Sequence, residues 1–375
     1  MPRVQGERIR QVRKLKRLNQ TDFAKLLNVK QSTVSHVESG VSQPPTNLLA
    51  SIVQMSGFPE GFFYREAGPE FPLGSLLFRG RRYSTKVKQD LYEAHTWAEL
   101  LFEIAISLTS KVERVRVAIP SLPSEGPSAA AKLARSALGL SPDRPIPHLI
   151  HALESHGVLV IAIPAPLPGR EAFSAWAVDL SGGRVPIIML PPGASGDRLR
   201  FTVAHELDHL IAHPTYRGYV REIEDVANSF ASEFLTPESG IRDEIPKPVT
   251  VQRLVPLKRR WGVSIASLIM RAGELGLISK RRVQQLFREM TMSGERFREP
   301  GEVSLEKPRA LRKLIEIVYG NPPDIRRFAA DFDLPLQLAN AVISAHATRS
   351  ELIATVPTEE PTNILRFDSS HIDSA

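Results

Sequence analysis

Two histidines four residues apart, His205 and His209, with Glu206 directly after the first, constrain this chain more than any other feature of it. On an α-helix, positions i and i+4 share one face a turn apart, so a helix here lets both imidazoles hold a single metal ion. Glu206 then lies close enough to take a proton from a metal-bound water, whose pKa zinc lowers towards about 7. The flanks agree with a helix over Arg198–His213: Ser195 or Asp197 can cap it, and Pro214 ends it. The chain has no cysteine. That excludes disulfides, thiol catalysis and cysteine-ligated zinc, so a metal site must be built from histidines and carboxylates.

A third ligand has to come from elsewhere. His213 continues the row, but each step of four residues drifts about 40° around a helix, which turns it away from a metal held by the other two. Glu224 is the better candidate. It opens Glu224-Asp225-Val226-Ala227-Asn228-Ser229-Phe230-Ala231, in which Glu224, Ala227, Asn228 and Ala231 share a helix face. Small side chains there let a second helix lie close against the first and bring a carboxylate within reach. Glu222 and Asp225 compete for the role. Two histidines and one glutamate leave a fourth position for water, the arrangement of a catalytic zinc; manganese can substitute in such a donor set.

The N-terminal segment carries a different signal. The net charge is +7, and the first 30 residues alone hold nine Lys or Arg against Glu7 and Asp22, leaving the rest of the chain balanced. A basic head of this kind points to a polyanion partner or to a solvated helix face. Between Gln20 and Val37, the apolar residues Phe23, Leu27, Val29, Val34 and Val37 are spaced as the core of a helix-turn-helix. Ala24 is small where the two helices cross, and Asn28 sits at the tight turn, where it tolerates a left-handed backbone. The second helix then exposes Gln31, Ser32, Thr33, Ser35 and His36, which with Gln20 are suited to phosphates and base edges. Lys30 and the basic first helix are expected to grip the phosphate backbone. This stretch resembles the XRE (Cro/cI-type) repressor domains over about 60 residues, including its Gln20-Thr21…Ala24 opening and its Ser35-His36-Val37-Glu38-Ser39-Gly40 close. The resemblance implies a double-stranded operator as partner.

The rest of the chain sets the fold class. Glu66–Gly74 reads as a linker, Lys86–Val112 as a long helix and Pro120–Ser128 as a loop. Helices over Ala129–Leu140 and Ile146–His156 precede a strand at Val158–Ile163. Phe173–Leu180 and Val185–Leu190 form a hairpin turned by Ser181-Gly182-Gly183. Two helices follow, over Arg198–His213 and Glu222–Leu235, and the chain is then mostly helical to Ala347. The expected class is α+β. The expected organisation is an all-α helix-turn-helix domain over 1–65, a linker and long helix over 66–120, an α+β domain over 121–245, a helical region over 246–354 and a disordered tail over 355–375. The absence of a long apolar run or signal peptide predicts a cytoplasmic protein with no membrane association.

The middle of the chain also resembles a known family. Phe201-Thr202-Val203-Ala204-His205-Glu206-Leu207-Asp208-His209-Leu210, the run from Glu224 through Ala227-Asn228-Ser229-Phe230-Ala231-Ser232-Glu233-Phe234-Leu235-Thr236-Pro237, the upstream Ala130–Pro164 and Phe173-Ser174-Ala175-Trp176 are similar to the ImmA/IrrE metallopeptidases. The resemblance implies a zincin-like core, with His205, His209 and Glu224 as zinc ligands and Glu206 as the catalytic carboxylate. Asp208 departs from the glycine expected in many relatives, and a carboxylate there could orient a ligand histidine. By the same resemblance, the expected activity is zinc-dependent cleavage of a repressor-type protein that controls stress or mobile-element genes. The alternatives are a regulator whose peptidase-like domain senses a signal without proteolysis, and the antitoxin of a toxin–antitoxin pair. Heads of this kind usually read two half-sites as homodimers. The stripe Leu100, Leu101, Ile104 and Leu108 is either the dimer interface or plain core.

Overall fold

The structure, a computed structural model, describes residues 2–72, 85–110, 126–167, 172–212 and 221–354. His213, Val112 and the tail over 355–375 lie outside the described residues. The head comprises α1 (Gly6–Leu15), α2 (Gln20–Leu26), α3 (Gln31–Glu38) and α4 (Thr46–Ser56). Asn19 caps α2 by accepting the Asp22 N–H at 2.8 Å, and Asn28 has a positive φ of 53° at the turn into α3. Phe23, Val34 and Val37 are buried, with Leu27 and Val29 packed against them. At Gly6 the first turn of α1 meets the end of α3 so closely that a Cβ would stand 2.2 Å from the Val37 carbonyl oxygen.

The long helix α5 (Thr85–Thr109) lies against α1. Its stripe of Leu100, Leu101, Ile104 and Leu108 is buried, so the stripe is core and not a dimer surface. The stretch read as a linker packs on α5 as far as it is described: Phe71 is buried, and its ring stands 5.8 Å from that of Phe102.

After α6 (Pro127–Ala137) and α7 (Leu149–Ser155) come β1 (Leu159–Ala162), β2 (Phe173–Val178) and β3 (Arg184–Leu190). The sheet order is β1-β3-β2. β1 runs parallel to β3 with Val160 opposite Ile188, and β2 runs antiparallel to it with Ala175 opposite Ile187. Asp179 shapes the hairpin by accepting the N–H of Ser181 (2.7 Å) and of Gly183 (3.0 Å) through Oδ1. Two helices follow, α8 (Gly196–Ala212) and α9 (Arg221–Leu235). The remainder is helical: α10 (Glu238–Ile241), α11 (Val251–Trp261), α12 (Ile265–Glu274), α13 (Lys280–Met292), α14 (Ala310–Tyr319), α15 (Ile325–Asp331), α16 (Leu336–Ser344) and α17 (Arg349–Ala354). Among the described residues no helix is long and apolar enough to cross a membrane.

Strand alternation divides the interior into two cores. Leu159, Ile161, Ile187 and Met189 pack with the head, α5 and α14–α16. Val160, Ile188 and Leu190 pack with α6–α9 and α11–α13. Both faces of the sheet are therefore covered, which explains the nearly unbroken apolar runs of β1 and β3.

Charge pairs tie the head to this body. Arg8 is fully buried and donates to both oxygens of Glu103 at 2.8 Å, with Arg65 adding a contact to Glu103 at 3.4 Å. Arg17 pairs with Asp90 and, at 3.4 Å, with Glu93. Lys14 sits over the Tyr92 ring. Arg65 reaches the Asp331 carbonyl oxygen at 2.7 Å. Removing one member of a buried pair strands the other charge, at a cost of about 3–5 kcal/mol. Arg8→Met is therefore expected to lower unfolding free energy by about that much, and adding Glu103→Leu should recover most of the loss. Chemical denaturation of the two variants checks this; a double variant no more stable than the single would contradict the buried-pair account.

Candidate metal centre and nucleic-acid interface

α8 runs beside β2, and two contacts fix their relative position. The Trp176 indole N–H donates to the Leu210 carbonyl oxygen at 2.7 Å. Two residues earlier on the strand, and so on the same face, the Ser174 hydroxyl lies 2.8 Å from Oε2 of Glu206 and 3.2 Å from its carbonyl oxygen. Glu206 is thereby held in a buried position against the sheet. His205 and His209 point from the adjoining face towards α9, with only 3% and 4% of their surfaces exposed. On α9, Ala227 and Ala231 are fully buried, and this small-residue face lets the two helices pack closely.

Three side chains converge between these helices. The Nε2 atoms of His205 and His209 are 3.1 Å apart. Glu224 places Oε2 3.4 Å from the first and Oε1 3.4 Å from the second. Tetrahedral ligands at about 2.0–2.2 Å from a zinc ion stand about 3.3–3.6 Å from one another. The two carboxylate contacts match that spacing and the histidine pair is slightly closer, so the three side chains are of the right types and close enough to share one ion. Nδ1 of His205 donates to Oδ1 of Asn228 at 3.0 Å, which sets the orientation of the ring and turns Nε2 towards the other two side chains.

The electrostatics follow from this convergence. Burial works against the charge on Glu224, but hydrogen bonds from His205 and His209 override it and hold the carboxyl well below its ordinary range. Burial likewise opposes the charge on His209, yet the Glu224 hydrogen bond and the nearby Glu206 raise its pKa. Asp208 is different. Burial pushes its carboxyl up to about 6 against the pull of His209 and His205. It is completely buried, and neither oxygen accepts a hydrogen bond among the described residues. The expectation that Asp208 orients a ligand histidine is therefore not met; Asn228 orients His205 instead. Glu222 and Asp225, the competitors for the third ligand, are exposed and lie outside the cluster.

In the sequence, Asn228 stands out only for its size and Ser174 only as part of a resembling segment. Their roles depend on contacts between elements, although the Ser174–Trp176 spacing already placed both on one strand face.

In the head, Lys30, Gln31, Ser32 and His36 are exposed, and Gln20, Thr33 and Ser35 are half-buried. Gln31 donates to Oε1 of Gln20 at 2.7 Å, and Gln20 donates to Oε2 of Glu38 at 2.9 Å. The first helix departs from expectation. Arg13 is held by both oxygens of Glu38 (2.5 and 2.9 Å), and Arg8 and Arg17 are committed to α5. Those arginines are internal braces and not phosphate contacts. Burial, outweighing the pull of Glu99, lowers the Lys14 pKa.

Comparison with known families agrees with both readings. Residues 9–55 match the helix-turn-helix family model, and residues 153–272 match the IrrE N-terminal-like domain, a peptidase family. The chain therefore carries an XRE-type helix-turn-helix domain fused to an IrrE/ImmA-like domain. No curated protein matches the chain.

The geometry predicts one zinc equivalent per chain, measured by equilibrium dialysis and metal analysis. His209→Ala and Glu224→Ala should abolish binding. Asn228→Ala should weaken it by about 10–100-fold, the usual effect of removing a partner that orients a ligand; wild-type affinity in that variant would rule out the orienting role.

Proposed function

We propose that this chain is a cytoplasmic DNA-binding transcriptional regulator whose IrrE-like domain is a zinc-dependent endopeptidase, acting on a repressor-type protein that controls stress or mobile-element genes. The convergence of His205, His209 and Glu224, with Glu206 one residue away on the same helix, carries this reading. When bound, zinc would polarise the scissile carbonyl and acidify the attacking water. Glu206 takes the proton released in the attack on a carboxylate oxygen and returns it to the departing amine. Ser174, donating to Oε2, keeps the Glu206 side chain in one orientation. His205, His209 and Glu224 would hold the zinc, and Asn228 keeps the His205 ring in place. Family membership of the 153–272 segment supports a protein substrate.

In the head, the Gln20–Gln31 pair presents an amide to a base edge or phosphate, with Lys30 beside it for backbone charge. A second reading, in which the peptidase-like domain senses a signal without proteolysis, is favoured by one observation: the core of the head continues without a break to one face of the sheet, whose other face packs the metal-site helices.

Incubation of the zinc-loaded chain with helix-turn-helix repressors encoded beside it separates the two. Cleavage is expected with wild type and should fall by about 100-fold or more in Glu206→Gln, with zinc content unchanged. Undiminished cleavage in that variant would exclude Glu206 as the base. Metal-dependent operator binding with every repressor left intact would select the sensor reading. In gel-shift titrations, Gln31→Ala should cost about 1–3 kcal/mol of operator affinity, and Lys30→Ala should reduce the salt slope by about 1.

A further inference from the structure

The turn that joins the two reading helices of the head recurs in the body. In the head, Leu27 and Val29 donate their backbone N–H groups to Phe23 (3.1 Å) and Ala24 (3.0 Å), and Asn28 between them has a φ of 53°. After α12, Leu275 donates to Arg271 (2.9 Å) and Leu277 to Ala272 (2.9 Å), and Gly276 between them has a φ of 69°. Many helices end in this way, so the packing that follows decides what the turn is for. Ala272, like Ala24, is a buried alanine one helical turn before the left-handed residue. The connection to α13 is one residue longer than the connection to α3, and Ser279 caps α13 by accepting the Arg282 N–H at 3.3 Å. Leu286 and Met290 of α13 are fully buried with Leu268, Ile269 and Ala272 of α12. The two helices approach so closely that a Cβ on Gly273 would stand 2.8 Å from Cγ2 of Val283.

Allowing for the extra residue, the places of Gln31, Ser32, Ser35 and His36 on α3 fall to Lys280, Arg281, Gln284 and Gln285 on α13. Arg288 continues that face one turn further on. All five are exposed. The carboxylates nearby are engaged elsewhere: Glu289 accepts from Arg282 (3.1 Å) and Gln285 (2.9 Å), and Glu295 accepts from Ser293 (2.9 Å). Lys280, Arg281 and Arg288 pair with no carboxylate among the described residues. α13 lies beyond both segments that match known families.

We propose that α12 and α13 form a second helix-turn-helix and that α13 enters the major groove of duplex DNA through Arg281, Gln284 and Arg288. The chemistry of that face suits a duplex. Arginine pairs with the edge of guanine or with phosphate, and a glutamine amide with the edge of adenine. Arg281 and Arg288 are seven residues apart, which places them about 10.5 Å apart along the helix, about three base steps at 3.4 Å each. Lys280, at the start of the helix, adds charge for the phosphate backbone. This surface is separate from the metal centre and from α3, so it needs neither proteolysis nor the contacts of the head.

Fluorescence anisotropy of the full chain with a labelled mixed-sequence duplex of about 30 base pairs, followed over a range of salt, tests the proposal. The double variant Arg281→Ala/Arg288→Ala is expected to bind about tenfold more weakly and to lose about 2 from the salt slope. Both residues are exposed, so melting temperature and zinc content should stay at wild-type values. Lys30→Ala alone reports on the head, and joining it to the double variant should add its own loss of about 1 in slope. A head that does not touch DNA thus shows itself in Lys30→Ala, and an α13 that does not touch DNA shows itself in the double variant. Unchanged duplex affinity and slope in the double variant would leave this face to a protein partner. A single strand of the same sequence losing as much affinity as the duplex would make it a general polyanion surface. Either result, or a wild-type chain that binds no duplex at all, overturns the proposal.

Discussion

Side chains alternate across a β-strand, so a strand of almost unbroken apolar sequence needs a partner on each face. β1 and β3 are such strands, and this requirement organises the chain. Leu159, Ile161, Ile187 and Met189 draw the head, α5 and the last helices onto one face. Val160, Ile188 and Leu190 draw α8, α9 and their supporting helices onto the other. The candidate metal ligands and the helix-turn-helix thus lie on opposite sides of three strands. α8 is held against β2 by Ser174 and Trp176, which leaves its histidine face free to meet α9.

Electrostatics divides the arginines and lysines of the head into two groups. Arg8, Arg13 and Arg17 are bound to Glu103, Glu38, Asp90 and Glu93, where they set the angle of α1 against α3 and α5. Lys25 and Lys30 remain exposed beside the turn and α3. A count of charges treats these groups alike, and only burial separates them. Arg8 satisfies the demanding condition for a buried ion: two carboxylate oxygens plus further acceptors in Gln11 and the Arg65 and Glu66 carbonyls.

Much of this was legible in the residues. The i, i+4 histidine pair, the small face of α9 and the asparagine at the turn each carry a local geometric requirement, and each appears where the spacing placed it. The α+β class followed from one strand, one hairpin and many helical stretches. What could not be read depends on pairing distant segments. Most acidic partners of the first helix lie on α5 and one, Glu38, at the end of α3, so its basic residues read as a phosphate grip. The stripe of α5 is equally consistent with core and interface until its neighbours are known. Asp208 looked like an orienting carboxylate because its sequence position is adjacent to His209, yet its direction on the helix gives it no hydrogen-bonding partner among the described residues.

The contact from Arg65 to Asp331 spans 266 positions of chain, and the core around Phe23 and Phe63 includes Phe328 and Ile343. Such a topology orders events during synthesis. The helix-turn-helix segment leaves the ribosome well before Phe328 and Ile343, which share its hydrophobic core, have been made. Until then the segment exposes apolar surface and lacks the partners of Arg65. A nascent chain of this design therefore completes the core of its helix-turn-helix segment only after the intervening residues have been translated, an order that couples the head to the synthesis of the body.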